Sequence, residues 1–163
     1  MAEADESDPC AEGMPRHAAV LVARLTERSR LPLDYSVASL RIVDFLIDGM
    51  RKSGASRERV RGPLLGLGAY VGEVLVRHAG ASWVDFDAGQ RARFSQPAGV
   101  LMPDGRLRNP LGKVVDRFDT GGARHSLQAF HLPLDGRSRR TVLTHARTGG
   151  VRAEEVGPAG RAR

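Results

Sequence analysis

Between Leu64 and Leu75 the chain reads Leu-Leu-Gly-Leu-Gly-Ala-Tyr-Val-Gly-Glu-Val-Leu. Wound as a helix, this segment is apolar on nearly every side and carries one charge, Glu73. Such a helix must be buried, so the rest of the chain has to be arranged around it. Gly68 and Gly72 lie four residues apart on one face, as do Leu64 and Gly68, and small residues there let another element approach closely. The helix is predicted to start between Ser56 and Pro63, since Pro63 is tolerated in a first turn and kinks an interior. It is predicted to run to about Ala79, with Gly80 closing it.

Two helices are predicted before it. Val20, Leu21 and Leu25 recur at helical spacing within His17–Arg30, and Leu31-Pro32-Leu33 ends that pattern. Ser36 is a suitable N-cap for the next helix, whose stripe is Leu40, Val43, Ile47 and Met50, widened by Leu46. Gly54 marks its end.

Beyond Gly80 the period changes to two. Ser82 to Asp87 alternates and reads as a strand. Gly99–Met102 and Arg106–Arg108 read as two strands joined at Pro103-Asp104-Gly105, where Asp-Gly is a turn signal. Asn109-Pro110 is a helix start, with Leu111, Val114, Val115 and Phe118 facing inward. Ser126 to Phe130 reads as a further short helix, with a strand as the alternative, and Thr141–Thr144 as a weak extra strand. The expected fold is therefore α+β: helices, the glycine-rich one central, packed on a small antiparallel sheet, with short helices after it.

A chain of 163 residues suits one domain with a real core. Its net charge of +6 is unevenly placed. Residues 1–16 carry five acids and one base and are predicted to be a disordered acidic tail. Residues 17–134 form the domain. Residues 135–163 carry seven arginines and three acids and are predicted to be a mostly flexible Arg/Gly-rich tail. The single cysteine, Cys10, precludes an intramolecular disulfide and a cysteine zinc site. With no signal-peptide pattern and no run approaching a membrane span, the expected setting is the cytoplasm, with no membrane partner.

Several motifs approach known chemistry without spelling it. Gly66-x-Gly68-x-x-x-Gly72 is one residue too long for a dinucleotide fingerprint and lies inside a helix. Gly105 to Gly112-Lys113-Val114 has the wrong spacing for a phosphate loop and lacks the hydroxyl after lysine. What remains is a helix N-terminus at Asn109–Lys113 with Arg106, Arg108 and Lys113 beside it, a place that can hold an anion or simply be a capped helix. Glu73 is a carboxylate in the most apolar stretch. Its structural reading is a buried pair with Lys113, Arg77 or the Trp83 indole, and its functional reading is a general base. The candidate ligand-binding residues are thus Glu73, Asn109 and Lys113. The five histidines show no metal spacing, and neither a metal nor a cofactor is expected.

From Leu33 to Phe130 the chain resembles a family of small bacterial domains of unknown function. The resemblance rests on Leu33-Asp34-Tyr35-Ser36, the Gly68–Val74 helix, Gly80 followed by Trp83, Pro103-Asp104-Gly105, and Asn109 to Val114, with Ser126-Leu127 and Phe130 as closing element. The chain departs from that pattern at His125, where an acid is expected, and at His131, where an aromatic is. The resemblance implies one domain spanning helices and hairpin, and no activity. Because no catalytic constellation assembles, the leading expectation is a non-catalytic protein-interaction or regulatory module. The alternatives are a nucleic-acid-binding accessory protein using the arginine-rich surface and tail, and a ligand binder or enzyme using Glu73 and Lys113.

Overall fold

The computed structural model of the chain describes residues 9–131. Its helices are α1 (Met14–Ser29), α2 (Leu40–Lys52), α3 (Arg57–Ala79), α4 (Ala88–Phe94), α5 (Pro110–Thr120) and α6 (Leu127–His131). Its strands are β1 (Ser82–Asp85), β2 (Ala98–Leu101) and β3 (Leu107–Arg108). The strands form one antiparallel sheet in the order β1-β2-β3, with Ser82 opposite Leu101 and Leu101 opposite Leu107. The fold is α+β, with α3 at its centre. The tail at 135–163 and the strand expected at Thr141–Thr144 lie outside the described residues.

Every residue of α3 from Gly66 to Leu75 is buried. Three of its glycines admit neighbours that a methyl group would exclude. A Cβ on Gly66 would stand 3.1 Å from Leu21 of α1, and one on Gly68 would stand 2.8 Å from the Leu111 backbone of α5. One on Gly72 would enter the ring of Trp83. The glycine faces therefore set how closely α1, α5 and β1 approach. Pro63 lies inside the helix, and Gly62 before it removes the Cβ that would press on the proline ring.

The acidic N-terminal segment becomes structured earlier than composition implies. Ala11–Gly13 form a 3-10 turn and α1 begins at Met14, so the expected tail of 1–16 is corrected from residue 9 onward. The cause is one apolar anchor within a polar window. Met14 is fully buried in the main core, and the Ala11 N–H donates to Asp85 Oδ1 at 2.8 Å.

Ser36 caps as expected, but before an irregular turn. Its Oγ accepts from the Ser39 N–H at 3.2 Å, and regular α2 starts at Leu40. The strand expected to reach Asp87 stops at Asp85, because Asp87 opens α4 with a reciprocal capping box to Gln90. Asn109 caps α5 through Gly112 N–H at 2.8 Å.

At the far end Leu127 is fully buried, and α6 is held by α2. Asp44 accepts from Ser126 Oγ at 2.8 Å and from the Leu127 N–H at 3.1 Å. The same carboxylate lies 3.4 Å from Arg117 Nε, and Arg117 also donates to Asp48 at 2.8 Å and to the Gly122 carbonyl. Arg117 is only 6% exposed, so these partners are what make its charge tolerable inside the protein.

Candidate functional site

Glu73 is buried on α3, 7% exposed. The Trp83 indole Nε1–H donates to its Oε1 at 2.9 Å, and Arg77 Nε lies 3.6 Å from its Oε2. Both belong to the structural pairing considered for this acid. The third candidate, Lys113, makes no ion pair with Glu73. Lys113 stands half-buried on α5, and the Asn109 side chain is engaged in capping that helix. The structure therefore does not assemble Glu73, Asn109 and Lys113 through direct bonds.

What gathers around Glu73 is an aromatic stack. Arg77 lies 3.5 Å from the centroid of the Tyr35 ring, which is stacked on Tyr70 with centroids 4.7 Å apart. Tyr35 has φ of 61°, a left-handed conformation that costs a bulky residue on the order of 1–3 kcal/mol. It is held there by its own backbone. Its N–H donates to Tyr70 Oη at 2.8 Å, and its carbonyl accepts from His78 Nε2 at 2.9 Å. Ser39 Oγ donates to the Ser36 carbonyl, so Tyr70 must be the donor in the 2.6 Å bond between the two hydroxyls. Burial pushes the pKa of both tyrosines up. Every polar group in this cluster serves the loop before α2 or the α3–β1 contact.

A cleft lies elsewhere, between the first turns of α3, α5 and the connection from α4 to β2. It has a volume of about 720 Å³. Leu64, Leu65, Leu111 and Val115 form its apolar floor, while Arg57, Arg61 and Arg91 stand around it with Glu58. Ser95, Gln96, Pro97 and Pro9 complete the wall.

The three arginines are held differently. Arg57 pairs with Asp119 at 2.9 Å, with both side chains largely in water, so the pair is weak and exchangeable. Arg91 is oriented by the 2.8 Å bond from its Nε to the Phe86 carbonyl, which leaves its terminal nitrogens available. Arg61 makes no hydrogen bond or ion pair with another described residue.

The placement of Arg57 works against the helix that carries it. Arg57 and Arg59 lie in the first turn of α3, with Arg61 just beyond it. That end of a helix carries partial positive charge and favours acids. Only Glu58 obeys this rule. The arrangement weakens α3 and concentrates positive potential at the cleft, where side chains and helix end add together.

Sequence reasoning passed over this site because its lining comes from four separated segments, and neither Arg61 nor Arg91 belongs to a motif. The available signal was local: three bases where a helix start favours acids. Among the described residues there is no group of three or more His, Cys, Asp or Glu that could hold a metal ion, and no helix long and apolar enough to cross a membrane. No protein-family model, curated protein or solved structure matches the chain.

Proposed function

We propose that this chain is a protein-interaction module whose docking surface is the arginine-rimmed cleft, and that the partner presents an acidic segment bearing an apolar side chain. One observation carries the reading. An apolar floor is surrounded by three arginines and one acid, and one of the arginines, Arg57, stands in the first turn of a helix, where a base is disfavoured. The floor would accept a side chain and the rim would neutralise its flanking carboxylates, a division of labour common to peptide grooves.

The reading gives no part to catalysis, because the buried acid Glu73 and the Asp44–Asp48–Arg117 group are engaged in holding the fold. It also favours a peptide over a nucleic acid. Binding of single strands uses aromatic platforms, whereas the exposed aromatic Phe45 on α2 is not among the cleft's lining residues. The lone cysteine accords with a reducing, cytoplasmic setting.

The test is fluorescence anisotropy with a labelled peptide Asp-Glu-Leu-Asp-Glu. Its controls are the same peptide with alanine for leucine and a single-stranded oligonucleotide. The leucine peptide is expected to bind about tenfold more tightly than the alanine peptide, as burial of one aliphatic side chain implies. Arg61→Glu should weaken it by about as much. Binding indifferent to the leucine, or oligonucleotide binding that depends on Arg61, would overturn the proposal.

A further inference from the structure

We infer that Arg91 is the residue that reads the partner segment, taking one carboxylate of that segment across its two terminal nitrogens. This rests on the cleft being a site for acidic segments and deepens it. What is recognised is a single carboxylate at a set distance from the apolar side chain, while Arg57 and Arg61 supply attraction without register.

The cause is a proline at the end of the sheet. β1 and β2 pair with Asp85 opposite Ala98. Carried one residue further, that register sets Phe86 opposite Pro97, and the Phe86 N–H donates to the Pro97 carbonyl at 2.9 Å. Residues opposed in this way exchange two bonds, one in each direction. Pro97 has no N–H, so the return bond to the Phe86 carbonyl cannot form. Arg91 supplies it, donating from Nε to that carbonyl at 2.8 Å. The donor missing from the ladder thus fixes a side chain that lines the cleft beside Pro97 itself.

That bond also decides what the guanidinium has left to offer. With Nε–H turned to the chain, the free pair is Nη1 and Nη2 at the tip, a planar fork that matches the two oxygens of a carboxylate. The other two arginines are exposed and lack such an anchor. Arg57 has only its exchangeable pair with Asp119, and Arg61 no bond to another described residue. They attract acids from any direction. The floor of Leu64, Leu65, Leu111 and Val115 is fixed by packing, so a ligand that fills it and meets the Arg91 fork needs one carboxylate at one spacing.

The test is anisotropy on the 163-residue chain with Asp-Glu-Leu-Asp-Glu and four relatives, each with one acid replaced by its amide. One relative is expected to bind about tenfold more weakly and the other three within about twofold of the parent peptide. Arg61→Lys should keep affinity within about twofold, whereas Arg91→Lys should lose about tenfold and level the four relatives. Arg91→Lys also leaves the Phe86 carbonyl without its donor, so a purely structural role has to be separated. Adding Pro97→Ala to Arg91→Lys returns a backbone N–H to that carbonyl. The double variant is expected to regain thermal stability while its affinity stays low. Affinity that returns with stability would show that Arg91 merely holds the end of the sheet. Four equal losses among the peptides, or equal losses in Arg61→Lys and Arg91→Lys, also overturn the inference. If binding then still depends on the leucine and on Arg61→Glu, the reading of the cleft stands and only the inference falls. A peptide that fails to bind, or binds without regard to its leucine, takes both down.

Discussion

The Trp83 indole donates to Glu73 from above the helix residue next to it: its Nε1–H meets Oε1 at 2.9 Å while its six-membered ring covers Gly72. One side chain thus satisfies a buried carboxylate and seals the gap left by a missing Cβ. Trp83→Phe removes the donor together with the outer ring atoms that cover Gly72. It is expected to cost about 2 kcal/mol in urea unfolding, the range for losing a hydrogen bond to a charged group. Glu73→Gln retains an acceptor and should cost less than Trp83→Phe. The reverse order would show that the indole contributes by packing alone.

Gly72→Ala and Gly49→Ala should have opposite signs. Both replace a helical glycine and gain about 1 kcal/mol of helix propensity. At Gly72 the methyl group meets the Trp83 ring, and overpacking of about 3 kcal/mol is expected to outweigh that gain. At Gly49 nothing lies within 4 Å, so the variant should be more stable than the parent chain. Thermal unfolding of the pair tests this directly.

Removing Arg117 should be among the most damaging single changes. Arg117→Met leaves Asp44 with only the Ser126 and Leu127 donors and Asp48 with Arg51, and is expected to cost about 2–3 kcal/mol, less than the loss of a fully buried pair. Replacing Asp44, Asp48 and Arg117 together by apolar residues should cost less than Arg117→Met alone. Denaturant unfolding of both would show whether the network stabilises or merely avoids an unpaired charge.

Alkali should destabilise the fold through its tyrosines. Tyr35 and Tyr70 are the only two in the chain, and burial raises the pKa of both above the ordinary value. The folded protein then holds its phenolic protons at a pH where the unfolded chain has begun to lose them. The contribution of the two tyrosines is therefore constant below about pH 10 and is lost as pH rises beyond it. Tyrosinate absorbance is expected to lag behind that of free tyrosine and to rise together with unfolding.

Stability and binding should separate on the first turns of α3. Arg59→Glu places an acid at the helix start, three residues after Ser56, and should add about 0.5–1 kcal/mol. Arg59 does not line the cleft, so peptide affinity should change little. Arg61→Glu should leave unfolding nearly unaltered and weaken peptide binding about tenfold. Loss of binding in both variants would point to diffuse attraction instead of a docking site.

The elements carrying an apolar stripe or a turn signature were readable from sequence: α2, α3, the hairpin at Asp104-Gly105, and α5 behind Asn109. What was missed has physical causes. None of the residues of α4 is buried, so it shows no periodicity, although Asp87 and Gln90 carry its capping box. Arg117 looks like any outward base on an amphipathic helix. Its burial depends on Asp44 and Asp48, about seventy residues away, a relation no local pattern contains. The same holds for the cleft, whose floor and rim meet only once α3, α5 and the α4–β2 connection are packed. Glu73 stood out because a charge inside an apolar helix is a local anomaly.

The hold of Asp44 on α6 also orders events in time. Asp44 and Leu127 are 83 residues apart, so the cap arrives only after most of the domain has closed into a loop. A five-residue helix has too few internal bonds to wait for it ready-made. The last described turn is therefore expected to form late, like a latch thrown from the opposite end, and Asp44→Ala should speed unfolding more than it slows folding. A chain ending before Ser126 would lose both donors that tie α6 to α2 and leave Asp44 with Arg117 alone.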